Sequence, residues 1–499
     1  MIDAFGPVEG ETAWMQFQSL PDSVKQQMLS QADALPDPSQ AKILMNAINS
    51  SANSLMRNAL SPDAPTINVD FAKDLAQSRL RNSDDYQSTL TAADADRMRD
   101  AISEANLWLD SSMAFEPAPG ETAAWTRDMW IDNTLPGWAK IATPVVDKVC
   151  QSLGAVFAER FGNSFDGEIQ GVFAGPVSIP IPDDMKNPAV IMRMVGALSF
   201  SLQLGSIAGS MASEVRGSYD QGLPIGDNPA GAIIVQNAKA YAGELDIEER
   251  EMFTFLALIE IAHARLYSSA QWLPSRFETL IYKYSRSITV DLDSMEEQLR
   301  DASSMDPESI SGAVNLSNVA AQNTPEQQEV LASIERLLAL VEGWVDCVVW
   351  RAGMAHLPHL DQLLEMRRRE RVEGGPAEQT LESLIGLHVH PKTMREAQKV
   401  WDTLTADGIE TRDAHWNHPD LLPDIPSDGG DGKPAQTKPK TSVDWDAELD
   451  KLLNGDEGNN HNGASDGGDS DTGGDGTDDG GDGTGGDTGT PRNPFGPLD

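Results

Sequence analysis

Residues 248–273 read EEREMFTFLALIEIAHARLYSSAQWL. The segment opens on Glu248, Glu249 and Glu251 and then runs almost wholly apolar for longer than a strand would. Acids at the start suit the positive end of a helix dipole. Apolar residues on every face mark a helix buried on most sides. The reading is a buried core helix over 248–273, and with it a mainly α protein.

Around this helix the chain keeps a helical period. DADRMRDAISEANLWLD and SLPDSVKQQMLSQADAL return apolar residues at helical spacing, and two long helices are predicted around 325–372, with a shorter one near 377–386. AIIVQ, residues 232–236, is the best strand candidate, so any sheet is small. Residues 195–212 carry no charge, but Gln203, several serines and Gly196, Gly205 and Gly209 fit a closely packed buried helix better than a membrane span. The organisation expected is an N-terminal helical region over 1–120, a helical core over 121–424 and a Gly/Asp-rich acidic tail over 425–499.

The tail cannot bury enough apolar surface to offset the entropy of ordering it, so disorder is expected there. Its Gly/Asp runs lack the apolar residue that calcium-binding nonapeptide repeats need to build a roll. One island, near 443–455, places Trp445, Leu449, Leu452 and Leu453 on one face of a short amphipathic helix. That face suits either a protein partner or the body of this chain.

The formal net charge is −41. Acids outnumber bases 17 to 5 from residue 425 onward, and 61 to 32 in the 424 residues before it, so body and tail are both acidic. Such a surface repels phosphate backbones and anionic lipids, which argues against nucleic acid and membranes as partners. The one basic cluster, Arg367–Arg369 with Arg371, is interrupted by Glu370 and reads as a solvated helix face. Cys150 and Cys347 each sit in an apolar helical stretch and read as buried thiols of a reducing compartment. The opening residues hold neither a basic start nor an apolar run, so no signal peptide is read and a cytoplasmic location is expected.

Within the buried helix stand Glu260 and His263. A His-Glu-x-x-His helix sets two imidazoles on one face to hold zinc, while its Glu takes a proton from the metal-bound water. Here Ile259 occupies the place of the first histidine. About 80 residues on, LLALVEGWVDCVV puts Glu342 and Asp346 on one face of a second apolar helix. An E-x-x-x-D helix can supply a third ligand and a carboxylate behind it. Two buried carboxylates are costly without partners, and His263 is the obvious one, with or without a metal. A structural Glu–His network therefore stands beside the metal reading.

The chain resembles the zincin-like, zinc-dependent metallopeptidases of actinobacteria. The resemblance rests on ANLWLD, AWTRDMWIDNTLPGWAK, GALSFSLQLGSIAGSMASEVRGSYDQGLPIG, LALIEIAHARLYSSAQWL, LLALVEGWVDCVV, RRRERVEGGPAEQTLESLIGL and RDAHWNHPDLLP, in order over roughly residues 70–424. It implies a helical zincin-like fold and zinc-dependent peptide hydrolysis, with Glu260 as general base, His263 and Glu342 as ligands and Asp346 behind them. Ile259 departs from that pattern, and its burial contributes roughly 1.5–3 kcal/mol of hydrophobic free energy instead of a ligand. The reading is a degenerate zinc motif in a weakly active or inactive homologue with a binding or scaffold role, with zinc weakly bound or absent. The alternative is an active peptide hydrolase that uses Glu260 and a rearranged metal site. His388 and His390, which a strand would place on one side, and His418, in a turn, are lesser ligand candidates, with a capping or packing role favoured for His418.

Overall fold

Asn68 and Thr91 show how the first helices begin. Each turns its side chain back onto a free backbone N–H of the first turn, Asn68 onto Phe71 and Thr91 onto Asp94. The helices they cap are α1 (Val69–Arg81) and α2 (Ala92–Leu109). In this computed structural model the described residues are 66–83, 86, 89–161, 169–171, 175–179, 188–288, 324–373 and 393–426. They belong to a unit that ends at Asp428. The expected helices of SLPDSVKQQMLSQADAL and 377–386, the tail with Trp445, Leu449, Leu452 and Leu453, and His388 and His390 lie outside the described residues.

The architecture is mainly helical. After β1 (Ala123–Trp125) come the long α3 (Arg127–Phe161), the short antiparallel pair β2 (Ile169–Gly171) and β3 (Gly175–Ile179), and α4 (Pro188–Met211). Then follow β4 (Ala232–Ile234), α5 (Val235–Glu244), α6 (Glu249–Ser269) and α7 (Trp272–Ser287). The chain continues through α8 (Pro325–Gly353), α9 (Leu360–Glu373), α10 (Met394–Thr405) and α11 (Ile409–Ala414). The strand expected at 232–236 is present but ends at Ile234, because Val235 already starts α5. It pairs in parallel with β1, Ala123 opposite Ala232 and Trp125 opposite Ile234. The helix expected over 248–273 stops at Ser269, and Trp272 opens the next one.

Two helices organise the centre. On α6 every side chain from Met252 to Tyr267 is buried, and on α8 every one from Leu337 to Val349 is buried. α8 starts from a capping box, in which Thr324 and Gln327 each satisfy the other's backbone N–H, with Pro325 at the first helical position. α6 packs against α8, α2 and α5, while α8 also meets α7 and α10. A second group joins α1, α3 and α4. α4 contains most of the uncharged segment 195–212, and its buried Phe200, Leu204 and Ala208 belong to the core. Among the described residues no helix is long and apolar enough to cross a membrane. Cys150 and Cys347 are buried free thiols, as read from their surroundings.

α8 and α10 approach closely at Gly343, where a Cβ would come within 2.7 Å of both the Ala397 side chain and the Gln398 backbone nitrogen. Backbone cannot yield as a side chain would, so Gly343→Ala should cost about 1–3 kcal/mol in urea denaturation. Gly243, exposed near the end of α5 with open space where a Cβ would stand, is the control. Gly243→Ala should be neutral or slightly stabilising, since alanine restricts the unfolded chain.

Candidate functional site

Glu260 and His263 lie one turn apart on α6, and Glu342 and Asp346 one turn apart on α8. All four side chains are almost wholly buried. His263 Nε2 stands 3.5 Å from Glu342 Oε1, so the two helices do bring these residues face to face. The partners of each group define what the cluster can do.

Glu260 points into the loop between Arg216 and Gly231. Its Oε1 accepts from the backbone N–H of Ser218 at 2.9 Å, from that of Ala232 at 2.8 Å, from that of Tyr219 at 3.2 Å and from the Ser218 hydroxyl. Its Oε2 shares the Tyr219 N–H at 3.2 Å. Ser218 Oγ in turn accepts from the Ala232 N–H, so carboxylate, loop and β4 form one network. Burial pushes the Glu260 carboxyl above the ordinary range, while these donors and His263 pull it down.

Glycines let the loop come this close. At Gly217 a Cβ would collide with Glu260 Oε2. At Gly231 it would lie 2.7 Å from Oε1 and 2.9 Å from Cγ, and the backbone there has φ +76°. Gly222, with φ +68°, leaves room in the same way for Glu342 Oε1.

His263 Nδ1 is 2.9 Å from the Ile259 carbonyl oxygen. A carbonyl only accepts, so this nitrogen carries the proton. Nε2 has no hydrogen-bond partner among the described residues, and 3.5 Å to Oε1 is longer than a good bond. The Tyr219 ring lies nearly parallel to the imidazole at 5.9 Å, and Tyr267 donates its hydroxyl to the Gly222 carbonyl at 2.5 Å.

Glu342 is held from the other side by α9. Arg367 Nη2 donates to its Oε2, and Arg371 Nη2 donates to its Oε1 at 3.0 Å and to the Asp220 carbonyl. Arg367 Nη1 reaches Asp346 Oδ1 at 3.0 Å, and Arg368 Nε reaches Oδ2 at 2.7 Å. Arg367 and Arg371 are only 7% exposed, which corrects the reading of 367–371 as a solvated helix face. Within that run only Arg369 is mainly exposed, paired to Glu365. Glu370 pairs with Arg216, whose guanidinium stacks on Tyr241.

Burial opposes ionisation of Glu342, but Arg367 and Arg371 outweigh it and hold the carboxyl well below its usual range. Its folded value thus lies below its unfolded one. The stability it contributes is present above the ordinary carboxylate pKa and is lost as pH falls through the folded value. Burial raises Asp346, against the pull of Arg367 and Arg368.

The remaining described histidines are engaged elsewhere. His356 stacks on Trp108, His359 pairs with Glu251, and His415 bonds the Leu421 carbonyl. His418 Nδ1 accepts from the Asp420 N–H and caps the turn that follows, the role favoured for it from sequence. Sequence reading missed the arginines and the Gly-rich loop. Their signals were the i, i+4 spacing of Arg367 and Arg371 and the repeated glycines of GSYDQGLPIGDNPAG.

A buried helix bearing Glu and His is thus faced by a helix bearing Glu and Asp. A model of the zincin-like metallopeptidase family matches residues 67–427, and the chain belongs to that family. A protein from Chloroflexus aurantiacus, provisionally described as a hydrolase with a novel fold, is 15% identical, with a TM-score of 0.47, over 72% of this chain and 94% of that one. No curated protein matches the chain.

The family normally binds zinc. The lone feature here that suits a cation is His263 Nε2, which lacks a partner. Against it, the Ile259 side chain offers no lone pair, Glu260 is engaged by the loop, and both oxygens of Glu342 accept from guanidiniums. Among the described residues no three His, Cys, Asp or Glu side chains are gathered to hold a metal. This donor set does not fit a three-ligand catalytic zinc.

If Glu260 clamps the loop, crowding its carboxylate should loosen the structure. Gly231→Ala combines strained backbone with a clash at Glu260 and should cost about 1–3 kcal/mol or more in equilibrium denaturation. A change under about 0.5 kcal/mol would show that the clamp contributes little.

Proposed function

We propose that this chain is a zincin-like family member with a degenerate zinc motif, a pseudoenzyme whose role is binding rather than peptide hydrolysis. The carrying observation is the state of Glu260. A general base needs a free lone pair within reach of the water it deprotonates. The Oε1 of Glu260 is engaged by the N–H groups of Ser218, Tyr219 and Ala232 and by the Ser218 hydroxyl, its Oε2 shares the Tyr219 N–H, and the side chain is almost wholly buried, away from bulk water. Its neighbour Ile259 is packed in the core where the motif would carry a ligand. The helix keeps its shape and burial while the two groups that begin the chemistry serve packing.

For the binding role the segment around Trp445, Leu449, Leu452 and Leu453 is the natural docking element for a protein partner. An apolar stripe set in an acidic Gly/Asp-rich chain can order itself on a partner's groove. Buried free thiols at Cys150 and Cys347 favour a reducing, cytoplasmic setting.

The test is elemental analysis of the purified full chain, together with its thermal midpoint in a zinc-chelator titration. A ligand bound only by the folded state raises stability with its free concentration. The proposal expects zinc well below one per chain, an unchanged midpoint with added zinc or chelator, and no peptidase activity above background. One zinc per chain with chelator-sensitive peptide cleavage would establish the active hydrolase instead.

A further inference from the structure

We infer that Arg367 and Arg371 are the resident cations of this site, supplying Glu342 with the positive charge that a divalent metal would otherwise supply. The inference rests on the metal-free reading of the native site, and extends it to why that site refuses a metal.

Two carboxylates in the apolar centre of a helix require cationic partners. α9 delivers them from one face, because residues 367 and 371 are four apart and point the same way. Arg367 forks across both acids, with one Nη on Glu342 and the other on Asp346. Arg371 takes the Glu342 oxygen that faces His263, and the Asp220 carbonyl fixes its guanidinium from the loop side. The point where an ion bridging His263 and Glu342 would sit is therefore beside a guanidinium that is itself buried and anchored.

Arginine remains protonated in proteins, so it cannot shed its charge as a metal arrives. Zinc ligands, by contrast, must give up their protons. A metal at Glu342 Oε1 would either share that oxygen beside the Arg371 cation or displace it, intact, into an apolar surrounding, and both are unfavourable. Supplying the missing imidazole at position 259 is then insufficient by itself, since the third ligand stays committed.

The experiment measures zinc affinity, by competition with a chromophoric chelator, for Ile259→His and for Ile259→His combined with Arg371→Met, with circular dichroism as the check on folding. The double variant should bind zinc about 10–100-fold more tightly than the single one, the range over which groups around metal ligands act. If removal of the guanidinium prevents folding, Ile259→His with Arg371→Lys takes its place. Lysine keeps the ion pair yet can lose its proton, so zinc affinity should again exceed that of Ile259→His and climb more steeply with pH. Equal affinities in the single and folded double variants, whether both tight or both weak, overturn the assignment to arginine. Tight binding by Ile259→His alone leaves the metal-free reading of the native chain intact, whereas one zinc in the unmodified protein removes that reading first.

Discussion

The charge of Glu342 is the constraint around which the core is arranged. It lies in the middle of α8, where every neighbour from Leu337 to Val349 is buried, and it is held ionised by two guanidiniums from α9. An isolated carboxylate in such surroundings would cost several kcal/mol, and the pairing restores most of that only if the geometry is good. The placement of α9 against α8 follows from this need. So does the position of the loop that carries Asp220 and Gly222, because Arg371 bonds the carbonyl of one and Glu342 crowds the Cα of the other.

Glu260 repeats the same logic one helix away, with neutral donors in place of cations. Backbone N–H groups and one hydroxyl surround its carboxylate and tie the Gly217–Gly231 loop and the start of β4 to α6. The two acids therefore fasten a single loop from its two sides, and His263, stacked on Tyr219, fills the space between them. The hydrogen bonds of Glu260 thus serve the packing of loop against helix.

Much of this was legible before the structure. The helix at 248–273 stood out because its apolar run is longer than any strand, and the two helices around 325–372 because apolar residues recur at helical spacing. The convergence of His263 with Glu342 followed from an i, i+3 pair on one helix and an i, i+4 pair on the other, each polar within an apolar helix. The arginines were not legible, because RRRER beside glutamates has the composition of a solvated face. Only long-range packing decides that Arg367 and Arg371 turn inward while Arg369 turns out. Ser218 was equally hidden, since the donors on Glu260 are mostly backbone N–H groups that leave no mark on side-chain pattern. The same holds for Arg412 and Asp413, where a buried ion pair anchors the end of the body to Trp344 of α8.

The central claim is that Glu342 and Arg371 act as one buried pair. It is tested most directly by a double-mutant cycle of Glu342→Leu and Arg371→Met, with stability read from urea denaturation at neutral pH. Each single change leaves a buried charge without one of its partners and should cost about 3–5 kcal/mol. The two together should cost less than the sum of the singles by about 1–3 kcal/mol, because the second change removes the charge that the first one stranded. Costs that add to within about 0.5 kcal/mol would contradict the account, and would mean that the two residues stabilise the fold independently.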